Sequence, residues 1–242
     1  MDQSKYIRGC ITWTIFLGLS LIDLQGCGSS DSRRANSLFD EKDVIGSLPA
    51  GWQVAETNGK GTPAVWQIVG DKTAADGTKA VAITKTQNTG QTYNMLIHQT
   101  IKLGDVPISV NVKAISGKED QGGGPVWLYQ DNNNYYIARW NLLENNFRVY
   151  VVKDGKRTQL GSADVQVDPA AWHTITIDHK GSLIKASLDG RQLIEVKDDN
   201  FPDAGKVGVW TKADSVTLFD DFAYDSSKFS PHSHWQNEGM KE

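Results

Sequence analysis

Trp172-His173-Thr174-Ile175-Thr176-Ile177, Leu183-Ile184-Lys185-Ala186-Ser187-Leu188 and Gln192-Leu193-Ile194 follow one another, separated by Lys180-Gly181 and by Asp189-Gly190. Apolar and polar residues alternate with period two through the two longer runs, which sends one side of an extended segment into a core and the other into water. An Asp-Gly pair tolerates the positive φ angles of a type I′ turn, so the runs on either side of it fold back as an antiparallel hairpin. The same pattern recurs upstream. Ile108-Ser109-Val110-Asn111-Val112-Lys113 alternates, and Asp154-Gly155 separates Val149-Tyr150-Val151-Val152 from Thr158-Gln159-Leu160. Helical periodicity is scarce after residue 40, and no linker rich in Pro, Gly or Ser divides the strands. About 200 residues of short antiparallel strands fit one sandwich of two sheets. Gly122-Gly123-Gly124 reads as a bend or close-approach site, because strand-like Val126-Trp127-Leu128-Tyr129 follows at once.

The chain has 242 residues, with 25 Lys plus Arg against 29 Asp plus Glu, so it lacks the basic excess needed to neutralise a phosphate backbone and no nucleic acid partner is expected. Both cysteines, Cys10 and Cys27, stand near the N-terminus, which leaves the body of the chain without a disulfide framework or a thiolate metal cluster. Lys5 and Arg8 precede an apolar run from Gly9 to Ile22 that is too short to span a bilayer, which takes roughly 20 apolar residues. The run leads into Leu24-Gln25-Gly26-Cys27, which resembles the lipobox of bacterial lipoprotein precursors; Leu24, Gly26 and Cys27 match it, and Gln25 departs from it. That resemblance implies a signal peptide over 1–26, lipidation of Cys27 and a membrane partner reached through that anchor; an ordinary cleaved signal and an uncleaved anchor are the alternatives. Residues 27–37 read as a polar tether, 38–226 as the folded domain and 227–242 as a polar tail.

Phe39-Asp40, Leu48-Pro49-Ala50-Gly51-Trp52, Trp66, Asp131-Asn132-Asn133-Asn134-Tyr135-Tyr136-Ile137-Ala138-Arg139, Trp172-His173, Leu188-Asp189-Gly190, the segment Gly205 to Ser215 and Phe219-Asp220-Asp221-Phe222 occur in that order. Together they resemble the concanavalin A-like (laminin G-like) jelly rolls of bacterial exported proteins, near the 3-keto-disaccharide hydrolase domain family, itself similar in fold to family 16 glycoside hydrolases. The resemblance implies an all-β, concanavalin A-like jelly-roll sandwich of two antiparallel sheets, located at the cell envelope. This fold hosts lectins, hydrolases and adhesion modules, so function has to be argued from the site.

Retaining glycosidases on this fold resemble one another in a strand motif Glu-x-Asp-x-x-Glu, which sets two carboxylates on one face about 5 Å apart. No such motif is present, nor are the signatures of zincins, serine hydrolases or P-loops. His173, on a strand beside Trp172, reads as a satisfied imidazole. An aromatic and amide-rich surface is the stronger feature. Trp127 and Tyr129 are expected on one face of a strand; Tyr136, Ala138 and Trp140 share a face of the next strand, opposite Tyr135, Ile137 and Arg139. Trp210, Lys212 and Asp214 stand two residues apart and could complete a groove. Rings that stack on sugar C–H faces, beside guanidinium groups that take hydrogen bonds from hydroxyls, suit carbohydrate; core packing is the alternative for each ring. Arg139 and Lys212 are expected to face solvent or a partner. Asp220-Asp221 together with Asp40 or Glu41 resembles the way related jelly rolls hold one structural Ca²⁺ where terminal strands meet, with Asp40 and Asp221 the ligands expected. The functional readings are a non-catalytic carbohydrate-binding lipoprotein, a glycoside-cleaving enzyme, and a structural envelope module.

Overall fold

A computed structural model describes residues 38–105 and 107–225. The expected signal peptide, Cys27, the tether and the C-terminal tail lie outside the described residues. Fourteen strands and no helix make up the described chain: β1 (Trp52–Thr57), β2 (Val65–Gly70), β3 (Lys79–Lys85), β4 (Tyr93–Leu103), β5 (Ile108–Ser116), β6 (Gly122–Asp131) and β7 (Asn134–Asn141), followed by β8 (Asn146–Lys153), β9 (Lys156–Asp164), β10 (His173–Lys180), β11 (Leu183–Leu188), β12 (Arg191–Lys197), β13 (Gly205–Lys212) and β14 (Val216–Tyr224).

They form two antiparallel seven-stranded sheets, one in the order β1-β4-β13-β6-β7-β8-β9 and the other in the order β12-β11-β10-β5-β14-β3-β2. The first is called the front sheet below and the second the back sheet. This is the two-sheet antiparallel sandwich expected from the alternation, and the jelly roll that the resemblance implied. The turn chemistry is as expected too: Asp154-Gly155 has φ of 52° and 73°, and Asp189-Gly190 has φ of 51° and 76°, the double-positive pattern of type I′ turns. Consecutive hairpins carry β6 to β9 and β10 to β12, while the last two strands insert into the interiors of the two sheets, β13 between β4 and β6, β14 between β5 and β3.

The inward faces of both sheets meet in a main core that includes Trp52, Trp66, Trp140, Phe147, Phe219 and Phe222. A second buried cluster belongs to the front sheet alone and lies on its other face: Tyr93, Met95, Ile97, Val126, Tyr129, Tyr135, Ile137, Tyr150, Val152 and Trp210. That face is buried because the sheet is rolled on itself. Arg157 of β9 sits 5.2 Å from the Tyr93 ring of β4, although four strands separate the two in the sheet. The hydroxyls of Thr57, on edge strand β1, and Tyr135, on β7, are 2.5 Å apart. Asn58, just past β1, donates from Nδ2 to the carbonyl of Gly155 in the β8–β9 turn at the opposite edge. A strongly twisted sheet coils in this way when its concave face carries large rings that have no second layer to pack against.

The triple glycine of β6 is what permits close packing against the neighbouring strands and the back sheet. A Cβ at Gly124 would lie 2.3 Å from the Ala138 carbonyl oxygen, and one at Gly123 would lie 2.5 Å from the Trp210 oxygen and 2.9 Å from the Phe219 ring. This is the close-approach role read from the sequence, in the middle of a strand rather than at a bend.

Candidate functional site

The rings expected to form a sugar platform are structural. Trp127 is buried in the main core, stacked on Tyr136 at 5.6 Å, and its indole N–H donates to His179 Nδ1 at 3.0 Å. Tyr136 and Trp140 lie in the same core, Tyr136 hydrogen-bonded to Asp198 and Trp140 against His173 at 4.6 Å. Tyr129 does not share their face. Leu128 adopts φ of 47°, the register with β7 slips between Trp127 and Asp131, and Tyr129 passes to the rolled side, where its hydroxyl bonds Asn132. A bulge of this kind resets the two-residue alternation on which the expectation rested. Trp210 is fully buried, donating its indole N–H to the Ala138 carbonyl at 2.8 Å and packing edge-on against Tyr93. None of these rings presents a free face for a sugar.

The charged residues fare differently. Arg139 is 1% exposed, which overturns the expectation that it faces solvent. Its Nη1 pairs with Asp120, itself 0% exposed, at 2.5 Å, and its Nη2 pairs with Glu144 at 3.0 Å. Lys212 approaches the same Asp120 oxygen at 3.7 Å. Glu144, which is 41% exposed, also receives Arg148 at 2.6 Å and the Asn146 amide at 2.9 Å. Asp214 lies beyond the end of β13 and does not enter the cluster; its carboxylate accepts the backbone N–H groups of Lys118, Glu119 and Asp120 and so fixes the loop that presents Asp120. Burial acts to raise the pKa of Asp214, but those amides outweigh it and hold the carboxyl below its ordinary value. Burial raises that of Asp120, and the nearby Arg139 and Lys212 only partly oppose it.

Arg139, Lys212, Asp120, Glu144 and Arg148 thus gather at one mouth of the roll, with Arg157 behind them, its guanidinium 4.4 Å from the Tyr150 ring. Glu144 carries the cluster to the surface, where it lines a cleft with Asn145, Asp164, Val165 and Gln166. Three buried polar atoms in this group have no hydrogen-bond partner: Asp120 Oδ1, Arg139 Nε and Arg157 Nη1. Sequence reasoning found Arg139 and Lys212 but missed Asp120, Glu144, Arg148 and Arg157. Asp120 sits in a loop, and Arg157 follows an Asp-Gly turn, where period-two alternation says nothing about which partner a charge will meet.

His173 is the satisfied imidazole expected, held between Asp189 Oδ2 at 2.8 Å and the Asp168 carbonyl at 2.7 Å. The calcium expectation meets a different arrangement. Asp220, not Asp221, lines a cavity with Asp40, Glu41, Asp76 and Lys79. Both Asp220 oxygens are engaged by backbone amides, those of Asp76 and Asp221, each at 2.7 Å. Among the described residues no group of three or more His, Cys, Asp or Glu side chains is close enough to hold a metal ion. Asp40 and Asp221, the ligands expected, are not brought together at this cavity, because Asp221 does not line it. Asp220 instead has its pKa raised to about 6, by burial and by the neighbouring carboxylates of Asp221 and Asp76.

No protein-family model matches the chain, and no curated protein matches its sequence. Solved structures do. A carbohydrate-binding module, CBM66 from Bacillus subtilis, is similar with a TM-score of 0.57 at 16% identity, covering 73% of this chain and 96% of that one. The cellulose induced protein Cip1 has a TM-score of 0.54 at 10% identity, covering 72% of this chain and 91% of that one. A protein of unknown function with a galectin-like fold from Bacillus subtilis has a TM-score of 0.50 at 11% identity, over 72% and 88% of the two chains. The likeness is one of fold, that of a concanavalin A-like sandwich.

Proposed function

We propose that this chain is a non-catalytic carbohydrate-binding module, held on a bacterial envelope through a lipidated Cys27, and that it grips sugar at the charged mouth of the rolled front sheet. The observation that carries the reading is that the charged cluster reaches the surface at Glu144 and Arg148, beside a cleft lined by Glu144, Asn145, Asp164 and Gln166. Sugar hydroxyls, each both donor and acceptor, suit the accessible carboxylate of Glu144 and guanidinium of Arg148. The likeness in fold to a carbohydrate-binding module is supporting analogy.

A glycoside-cleaving reading, of the 3-keto-disaccharide hydrolase type, draws on one observation: Asp120 is a carboxyl held above its ordinary pKa by burial, the property a general acid requires. Against it, Asp120 is enclosed and committed to Arg139. A glycan array probed with the full chain, run beside an assay on 3-keto-glucosides, separates the readings. Under the binding reading the wild type retains a glycan without turning it over, and Arg148→Ala and Glu144→Gln each weaken retention by about 1–2 kcal/mol, the worth of a charged hydrogen bond. Turnover lost in Asp120→Asn with glycan affinity intact would transfer the case to the enzyme. Absence of any retained glycan would leave the structural envelope module.

A further inference from the structure

The segment that leads into β1 holds apolar side chains out in water. Val44 and Ile45 are 70% and 58% exposed, more than any other large apolar side chain among the described residues, and Leu48, three residues on, is exposed as well. Their backbone is tied down. The Ser47 N–H bonds the Val44 carbonyl at 3.0 Å and closes a turn whose third residue, Gly46, has the φ of 87° that a type II turn requires. Gly46 donates to the Ile68 carbonyl, Ser47 accepts the Ile68 N–H, and Lys79 Nζ reaches the Asp43 carbonyl at 2.9 Å. The carboxylates that precede the turn face back to the chain: Asp40 accepts the N–H of Lys42, Glu41 those of Thr78 and Lys79, and Asp43 that of Ala50. What remains at the tip is aliphatic surface on a fixed frame, and three side chains fall far short of the roughly 800 Å² per partner that a stable protein interface buries.

Resting on the lipoprotein part of the reading above, we propose that Val44, Ile45 and Leu48 insert into the interface of the bilayer that holds the acyl chains, and so set the orientation of the domain on the membrane. Gly28 to Ser37 are all that separate Cys27 from Leu38. Fully extended at about 3.5 Å per residue, such a tether reaches about 40 Å, so acylation keeps the tip beside the bilayer at high effective concentration and a small apolar contact suffices. With Asp40, Glu41 and Asp43 outnumbering Lys42 in this segment, anionic headgroups offer it no attraction. The contact is therefore apolar and does not depend on salt.

The test uses the acylated chain in phosphatidylcholine vesicles, where Cys27 is blocked and Ile45→Cys supplies a free thiol for a nitrobenzoxadiazole dye. The same dye on Gln192→Cys, at the exposed edge strand β12, reports what the dye does by itself. At position 45 the emission is expected to shift to the blue and to be quenched about twofold by doxyl-labelled lipid, in low and high salt alike, while position 192 shows neither effect. Adding Val44→Ser and Leu48→Ser to the Ile45→Cys chain should return its quenching to the level at 192; both side chains are exposed, so the unfolding curve should not move. Equal quenching at 45 and 192, or none at 45, would overturn the proposal. A blue shift at 45 that lipid does not quench and that grows with protein density would give the patch to a second copy of the chain and overturn it too. Palmitate labelling separates the two readings: an acylated chain with an unquenched tip removes only this proposal, whereas a chain that takes up no palmitate removes the anchor and this proposal with it, and the glycan array still decides carbohydrate binding.

Discussion

At the residue scale the decisive fact is that groups read as surface chemistry are held in the interior. Trp210 shows why this matters for experiment. Its ring fills the roll against Tyr93 and its N–H spans β6 to reach Ala138, so Trp210→Ala should destabilise the domain by about 3–5 kcal/mol, measured by chemical denaturation. A ring that served only as a sugar platform would cost almost nothing to remove. Arg139→Ala should cost a comparable amount, because it leaves buried Asp120 with only the longer Lys212 contact, and the double variant Arg139→Met/Asp120→Leu should recover most of the loss. Asp220 gives a pH signature of the opposite sign to the usual carboxylate. Its folded pKa of about 6 lies above the ordinary 3.8, so the folded state binds the proton more tightly and stability falls as pH rises from about 4 to about 6. Asp220→Asn should flatten that part of the profile; the difference in melting temperature between variant and wild type, measured at pH 4.5 and 7.5, should shift in favour of the variant at the higher pH.

At the element scale β6 sets the geometry of the site. Its glycines let the Trp210 backbone and the Phe219 ring approach at close range, and its bulge at Leu128 turns Tyr129 away from Trp127. Gly124→Ala places a methyl 2.3 Å from a backbone oxygen that cannot withdraw, so it should lower stability by about 1–3 kcal/mol or prevent folding, while Gly181→Ala, open on all sides at φ of 55°, should cost about 1 kcal/mol. Equal effects of the two substitutions would mean that close packing on β6 is not what the glycines provide. The strands and hairpins themselves were legible in the sequence, because alternation and Asp-Gly turns are local signals. The bulge was not: Leu128 sits in an unbroken strand-like run, and its positive φ coincides with slips of register against β7 and β13.

At the scale of the whole molecule the front sheet does two things at once. It covers the back sheet, and it rolls its other face into a second core that the expected open groove would have left to solvent. That closure moves the candidate site from the middle of the concave face to its charged end. The proposed attachment to the envelope is likewise a property of the whole chain. Since one acyl chain gives only marginal membrane affinity and stable anchoring takes two, labelled palmitate should enter the wild-type protein and not Cys27→Ser, with the variant lost from the membrane fraction. Label persisting in Cys27→Ser would remove the lipoprotein proposal.

Period-two alternation, paired Asp-Gly turns and the lack of helical periodicity determined from sequence alone that this chain is an antiparallel sandwich, because those signals depend on which side of a strand meets water and on backbone angles within a few residues. They also singled out Arg139 and Lys212 as charges in need of a partner. Which partner, and whether a ring on a strand faces sugar or core, was decided only by the tertiary structure. A sheet has two sides, and alternation cannot tell whether the second is open or covered; here the coiling of seven strands covers it, bringing Arg157 to Tyr93 across a distance in sequence that no local pattern reports, while the pairing of β6 with β7 sets Asp120 beside Arg139.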